Sequence, residues 1–326
     1  MIKAPLGQFY HFSMEEFNEL SKKANQGSAF HQNEFGKVLA RSFFIPENKE
    51  KAAKYYQMAA NQDYPEAIWN LGNYLLNDPA GPHDLARGLE LLFRGRDLGD
   101  PLIINQLGFY YQHGLHVGQD YEKALELFRQ AAELGNPHSQ YNLAYMYLNG
   151  LGLEADSLAA FEWVEKAAEA DFVEAIGSLG EFYLLGVGCK PDQDKGFELL
   201  NRAVGRDHAK SILLMGLIYK DSDLVEPDYQ LARFYLHKAV NLGHLPAFPV
   251  LAELLEKGLG GAKDLQGAKS LYFEAARGAL PGAAELYQKF LAENENGPEP
   301  RGSSEPKGPA EPKGTAEPLP SKKILH

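Results

Sequence analysis

Apolar and small residues recur along this chain with a fixed spacing. The period is 36 residues and is marked by Asn48, Asp84, Asp120, Asp156, Asp192, Asp228 and Asp264. An alanine or glycine follows each marker after four and after eleven positions, and bulky apolar pairs such as Leu127-Phe128 lie between them. This spacing places apolar side chains on one face of an α-helix. The pattern predicts a helix after each marker, here called the B helix, with the marker as an N-cap that accepts a backbone N–H.

A second helix, the A helix, is predicted about 17 residues after each marker. Its core face carries pairs such as Leu107-Gly108 and Leu143-Ala144, and its first turn suits Pro65, Pro101, Pro137 and Pro281. Glycine-rich turns such as 150–153 end it, since glycine adopts the left-handed conformation readily. The turns at 78–82 and 221–224 lack the G-x-G pattern of these turns, and we interpret them as degenerate because the period continues. Pro246 and Pro249 are expected to delay or bend one A helix.

The two ends of the chain differ from the repeats. Ser13 with Glu16 forms a capping-box pattern, which predicts a helix to about Gln26, and a last A helix is expected from Pro281 to about Ala292. The tail is rich in Pro, Gly, Glu and Lys and cannot bury a core, so we expect it to be disordered. The predicted organisation is a capping region at 1–27, seven helix-pair units with a C-terminal capping helix at 28–293, and the tail at 294–326.

The most complete unit resembles the Sel1-like repeat, a relative of the tetratricopeptide repeat. Its residues are Leu143-Ala144, Tyr147, Gly150-Leu151-Gly152-Leu153, Asp156, Ala160 and Ala167-Ala168. The resemblance covers roughly residues 28 to 280. It implies an all-α fold, a right-handed superhelical solenoid of antiparallel helix pairs. It also implies a scaffold for protein–protein interaction rather than an enzyme.

The composition indicates which classes of partner and which cellular compartment to expect. The chain is 44% hydrophobic and carries a formal net charge of −12, which argues against nucleic acid and anionic membrane surfaces as partners. Cys189 is the only cysteine, so no intramolecular disulfide is possible, and we interpret it as a small buried apolar residue. Residues 1–12 show no secretory signal, and no apolar run is long enough to span a bilayer. We therefore expect a cytoplasmic protein without membrane insertion.

Catalytic and metal-binding motifs give no comparable signal. The chain contains no zinc-protease motif, phosphate-binding loop or nucleophile elbow. His113, His116 and Asp120 have a ligand-like spacing, but they fall at a helix end and a turn, without an evident fourth ligand. We expect no catalytic residues, no metal and no cofactor.

The outward stripe of the A helices offers a better candidate site. Positions two before and two after the core leucine point about 160° away from it, and they are expected to line an inner, concave wall. Aromatic and amide residues occupy this stripe on three successive A helices: Trp69, Asn73, Asn105, Phe109, His113, Tyr141, Tyr145 and Asn149. We call this set the aromatic–amide surface. Such rings are favoured at binding hot spots, and asparagine can pair with the backbone of an extended peptide.

The leading hypothesis is a non-enzymatic adaptor that binds an extended peptide or a partner helix on this surface. Packing of the rings against neighbouring repeats, with no binding role, is the structural alternative. A second functional class is a small-molecule-binding or hydrolytic protein, since some Sel1-like proteins bind β-lactams. Those proteins are rich in disulfides, which this chain lacks. A third is an architectural spacer that uses its convex B-helix face or its tail. Partner identity and oligomeric state stay open.

Overall fold

Helices account for all the regular structure in the part of the chain that the computed structural model describes, residues 13–41, 46–78 and 81–294. There are sixteen helices in these ranges: α1 (Met14–Asn25), α2 (Ala29–Ala40), α3 (Pro46–Ala60), α4 (Pro65–Leu76), α5 (Leu85–Asp97), α6 (Pro101–His113), α7 (Tyr121–Glu133), α8 (Pro137–Asn149), α9 (Ser157–Glu169), α10 (Val173–Leu185), α11 (Gln193–Val204), α12 (Ala209–Lys220), α13 (Tyr229–Asn241), α14 (Ala247–Lys257), α15 (Leu265–Arg277) and α16 (Ala283–Asn294). The even-numbered helices from α2 to α14 are the predicted A helices, and each packs on the B helix that follows it. The all-α architecture of antiparallel helix pairs is confirmed. The predicted tail from residue 295 lies outside the described residues.

The markers of the repeat cap the B helices, with one exception. The six aspartates from Asp84 to Asp264 each accept a hydrogen bond from a backbone N–H two or three residues later, as Asp156 does from Ala159 at 3.0 Å. Asn48 does not, because α3 begins at Pro46 and places Asn48 inside its first turn. Proline is suited to the first helical position, and here the helix begins at Pro46, three residues earlier than the period predicts. The prediction that Asn48 is an N-cap was wrong.

Five of these six aspartates, all but Asp84, also close the turn from the A helix to the B helix. The backbone N–H of Asp156 donates to the carbonyl oxygen of Tyr147 at 2.9 Å, nine residues earlier. Four other pairs repeat this bond: Asp120 with Tyr111, Asp192 with Tyr183, Asp228 with Tyr219, and Asp264 with Leu255. Left-handed glycines end the A helix in four of these five turns, with φ between 64° and 69°. The turn before Asp228 lacks the glycine but keeps the bond, so the period survives there.

Small residues allow the two helices of a pair to approach closely. A Cβ added to Gly180 of α10 would lie 2.9 Å from the carbonyl oxygen of Gly196 in α11, closer than a methyl group tolerates. The chain forms two compact units, one ending at Ala170 and the other beginning at Asp171. Each has its own core of fully buried side chains, with Ile103, Tyr110 and Phe128 in the first and Leu200, Met215 and Leu251 in the second.

The ends and the proline positions refine the predictions. The capping box of α1 is present, since Ser13 Oγ accepts the Glu16 N–H at 3.1 Å and Glu16 accepts the Ser13 N–H at 2.7 Å. Pro281 lies before α16, which begins at Ala283, so its predicted place in the first turn was wrong. The expected delay near Pro246 is present, because α14 begins at Ala247, one residue after it.

Cys189 is half-buried, and its Sγ lies 3.6 Å from the Phe182 carbonyl oxygen. None of the described helices is both long enough and apolar enough to cross a membrane.

The contrast between Asp156 and Asn48 gives a first test. Asp156→Ala removes a cap and should lower the free energy of unfolding by about 1 kcal/mol. Asn48→Ala is the matched control at the same point of the period, and it should have little effect because Asn48 caps nothing. Urea unfolding followed by circular dichroism measures both. Equal losses from the two substitutions would contradict the assignment of caps.

Three partly buried histidines of the second unit predict a dependence of stability on pH. Burial lowers the pKa of His208, His237 and His244 below the ordinary value of 6.5, and this effect outweighs the nearby carboxylates Glu174 and Asp264, which raise the pKa of the first two. The folded chain therefore holds fewer protons than the unfolded chain near that pH. This stabilisation is complete above pH 6.5 and is lost as the pH falls toward the lowered values.

We expect the urea midpoint of the second unit to fall between pH 7 and pH 5. Replacing all three histidines by glutamine should flatten that slope, because glutamine does not titrate. The urea midpoint of the wild-type chain and that of the triple glutamine variant are measured as a function of pH. An unchanged slope in the glutamine variant would show that other groups cause the acid sensitivity.

Candidate protein interaction surface

All eight residues of the aromatic–amide surface lie in the first unit, on α4, α6 and α8. One ring on each helix is exposed: Trp69 by 37%, Phe109 by 38% and Tyr145 by 50%. His113 and Asn149 are exposed as well, whereas Asn73, Asn105 and Tyr141 are half-buried. Three successive A helices thus each present an aromatic side chain to solvent. Of the five remaining members of the set, two are exposed and three are half-buried.

Amide side chains join neighbouring A helices of this unit. Asn70 of α4 donates from Nδ2 to Asn33 Oδ1 of α2 at 2.9 Å. Asn142 of α8 makes the same bond to Asn105 Oδ1 of α6 at 3.0 Å. Between these pairs, Asn77 after α4 donates to the Tyr110 hydroxyl of α6 at 2.7 Å. The four A helices α2, α4, α6 and α8 are therefore linked side by side through their amides. The sequence signal for two of these bonds is an asparagine spacing of 37, one more than the period.

These bonds limit what each asparagine offers to a partner. Asn105 Oδ1 accepts from Ser139 Oγ at 2.8 Å as well as from Asn142, so both its lone pairs are used. Asn73 Oδ1 accepts from Asn77 at 3.1 Å, and Asn149 Nδ2 donates to the Tyr145 carbonyl at 2.8 Å. Within the described residues, the groups left without a hydrogen bond are the Nδ2 donors of Asn73 and Asn105, one N–H of Asn149, the Oδ1 acceptor of Asn149 and one lone pair of Asn73 Oδ1. The contacts therefore remove Asn105 as an acceptor and leave the other asparagines able to donate and accept.

The surface also has almost no formal charge. Glu66 is the one Asp, Glu, Lys or Arg residue within α4, α6 and α8. The A helices of the second unit differ, since they carry ion pairs such as Lys210 with Glu181 at 3.3 Å and Lys220 with Glu253 at 3.0 Å. An uncharged aromatic surface favours contacts through apolar area and neutral hydrogen bonds.

The three candidate metal ligands serve other roles in the structure. The rings of His113 and Phe109 pack with centroids 4.3 Å apart, and His116 Nε2 lies 2.8 Å from Asn77 Oδ1. Asp120 caps α7, and hydrogen bonds from the Lys123 backbone and side chain lower its pKa. In residues 13–41, 46–78 and 81–294, no group of three or more His, Cys, Asp or Glu side chains is placed to hold a metal ion.

A separate open cavity of about 470 Å³ lies in the first unit, beside α5, α6 and α7. Its lining includes Arg96, Tyr111, Lys123 and Gln130 but none of the aromatic–amide residues. The two cations are already paired, Arg96 with Asp97 at 2.7 Å and Lys123 with Asp120 at 2.9 Å. Because each cation is neutralised by its neighbour, this cavity has no focused charge for binding an ion.

Comparison with known proteins identifies the repeat. The Sel1 repeat model matches residues 36–64, 65–100, 104–136, 137–172, 173–208, 209–244 and 250–279. A search of the curated proteins finds no match.

Several solved structures are similar to the chain. A protective antigen of uropathogenic Escherichia coli with an SLR fold is 22% identical, with a TM-score of 0.58, covering 85% of this chain and 67% of its own. A Sel1 repeat protein from Oxalobacter formigenes is 23% identical, with a TM-score of 0.49, covering 85% and 91%. The immunity protein Pa5087 of Pseudomonas aeruginosa is 21% identical, with a TM-score of 0.45, covering 70% and 83%. At these identities, the first of these structures supports the fold alone.

The hydrogen bonds of Asn105 predict a structural role that Asn73 does not share. Asn105→Ala leaves Ser139 Oγ, which is fully buried, and Asn142 Nδ2 without their acceptor, and should cost about 1–3 kcal/mol. Asn73→Ala should cost less than about 0.5 kcal/mol, because Asn77 keeps its bond to Tyr110. Denaturant unfolding compares the two variants. A loss for Asn73→Ala as large as that for Asn105→Ala would refute this distinction.

Proposed function

The chain belongs to the Sel1 repeat family, and we propose that it is a non-enzymatic scaffold that binds an extended segment of a partner protein on its aromatic–amide surface. Sel1 repeats commonly mediate protein–protein interaction. One observation carries the proposal. Trp69, Phe109 and Tyr145 are exposed on three successive A helices that are almost free of charge. Clustered exposed apolar side chains typically mark an interaction site.

The rings would provide most of the binding energy. Aromatic side chains bury a large area and lose little conformational freedom, so they dominate many interfaces. The half-buried members of the surface, such as Tyr141, would contact the bound segment alongside the exposed rings. The exposure of Tyr145 supports a binding role for that ring, whereas the partial burial of Tyr141 fits the packing alternative.

The amides would fix the position of the bound segment. Asn73 and Asn105 offer N–H donors, and Asn149 offers a carbonyl acceptor, which together suit a peptide backbone of any sequence. The helices supply no lysine or arginine to hold phosphates or a terminal carboxylate. We therefore propose an internal, uncharged segment of a protein as the ligand, and neither nucleic acid nor a C-terminus.

We propose that this interaction takes place in the cytoplasm. The support is the single cysteine, Cys189, which leaves no intramolecular disulfide to form, and the net charge of −12. No group on the aromatic–amide surface pairs a nucleophile with a base, and His113 packs on Phe109 instead. A scaffold accounts for these features without invoking a reaction.

Replacing two exposed rings tests the proposal. Phe109→Ala with Tyr145→Ala should weaken partner binding by about 2 kcal/mol or more, because both rings are hot-spot candidates. Their exposure means that folding should change little. Leu217→Ala is the matched control, since Leu217 holds the position of Phe109 three periods later and is also 38% exposed.

The measurement is the affinity of partners recovered with the wild-type chain, by titration calorimetry against each purified variant. Binding by the double variant that equals wild type for every partner would exclude the surface. A loss of partner affinity caused by Leu217→Ala alone would indicate that the binding site lies in the second unit.

A further inference from the structure

The side-chain amide of Asn105 on α6 is held in one orientation by the neighbouring helix α8. Its Oδ1 accepts a hydrogen bond from Ser139 Oγ at 2.8 Å and another from Asn142 Nδ2 at 3.0 Å. Ser139 is fully buried, and its backbone N–H donates to Asn136 Oδ1 at 2.8 Å, so this donor has a fixed place in the first turn of α8. Because an amide group is planar, fixing its oxygen also fixes the direction of its two N–H bonds.

The other two asparagines of the aromatic–amide surface are bonded only within their own part of the chain. Asn73 Oδ1 accepts from Asn77 Nδ2 at 3.1 Å, four residues later. Asn149 Nδ2 donates to the Tyr145 carbonyl oxygen at 2.8 Å, four residues earlier. In the described structure, Asn105 is therefore the one member of this trio whose two lone pairs are both occupied by donors of another helix.

The N–H donors of Asn105 are accessible to solvent. Nδ2 has no hydrogen bond within the described residues, where Gln140 Oε1 is the one buried side-chain nitrogen or oxygen that lacks a partner. The Nδ2 atom of Asn105 is therefore not buried. The exposed ring of Phe109 follows four residues later on α6, and side chains at this spacing are neighbours, with Cβ atoms about 5–6 Å apart. A fixed donor thus lies beside an exposed ring.

The ligand group that meets this donor must be an acceptor. Asn105 cannot bond to an N–H of a ligand, since both lone pairs of its Oδ1 are used. A peptide backbone supplies an acceptor at the carbonyl oxygen of every residue. A bound segment that placed no acceptor here would cover the donor without a partner, which costs affinity.

We propose that Asn105 sets the register of the bound segment by donating to one of its backbone carbonyl oxygens, next to the side chain that packs on Phe109. This inference rests on the proposed function and adds the ligand atom that the surface recognises. The ring supplies apolar contact, and the fixed donor decides which residue of the segment lies on it. Asn73 and Asn149 each keep a free N–H and a free lone pair, so they fit either a donor or an acceptor.

Asn105→Asp separates this role from the part that Asn105 plays in the fold. The carboxylate keeps both acceptor bonds, to Ser139 and Asn142, but it cannot donate. The urea midpoint of this variant should therefore lie closer to that of the wild type than the midpoint of Asn105→Ala does. Gln106→Glu is the matched control, because Gln106 is the next residue of α6, is also half-buried and gains the same charge.

The probes are peptides from a random library without Asp, Glu, Lys or Arg. They are selected for binding to the full chain that Phe109→Ala with Tyr145→Ala abolishes, and calorimetry gives their affinity for each variant. Asn105→Asp should weaken binding roughly tenfold or more, whereas Gln106→Glu should change it less than about threefold. The loss should persist at high salt, because salt screens the added charge but does not restore an N–H donor.

The two proposals fail in different ways. Some peptides may need both rings yet bind Asn105→Asp as tightly as the wild type, or lose as much affinity with Gln106→Glu. Either result would overturn the role of Asn105 and leave the aromatic–amide surface as the site. A library that yields no peptide dependent on the rings would count against the proposed function, and this inference would fail with it.

Discussion

An aspartate at the start of five B helices, α7, α9, α11, α13 and α15, imposes the geometry on which those repeats depend. Its side chain caps the B helix, while its backbone N–H bonds to a carbonyl in the last turn of the preceding A helix. One residue thereby fixes where one helix ends and the next begins. The turn before Asp228 shows how strong this constraint is, since it lacks the usual glycine and keeps the bond. Close packing at small residues such as Gly180 and Gly196 then follows from that fixed register.

A regular scaffold of this kind leaves its outward side chains free to vary. The first unit uses that freedom for rings and amides on α4, α6 and α8, together with the ion pair of Lys37 with Glu66, whereas the second uses it for ion pairs such as Lys210 with Glu181. In the first unit, the amides also bond to each other, as Asn142 does to Asn105. The helices are thus held side by side by the same residue type that would contact a peptide. Structural roles and the proposed binding role overlap on one surface, and the hydrogen bonds show which amide groups stabilise the fold.

Periodicity predicted the helices well because caps and core faces act locally. With the capping box at Ser13, it predicted the seven helix pairs and both terminal helices, but it misplaced the starts of α3, at Asn48, and of α16, at Pro281. Both failures come from proline, which at Pro46 starts a helix early and at Pro281 precedes it. The candidate site was less predictable. Helix geometry placed Trp69, Phe109 and Tyr145 on one exposed stripe, but the saturation of Asn105 depends on Ser139 and Asn142 of another helix. Contacts of that kind arise from packing between helices, which a single period does not encode.

The account is tested most directly by finding which face a partner touches. A photoreactive phenylalanine analogue placed at position 109 would report contact on α6, and the same residue at position 217 would report the equivalent position on α12. Mass spectrometry of the crosslinked product identifies the partner segment in each case. We predict crosslinks from position 109 to an uncharged, extended segment of the partner and none from position 217. Crosslinks of equal yield from both positions, or from position 217 alone, would contradict the assignment of the binding surface to α4, α6 and α8.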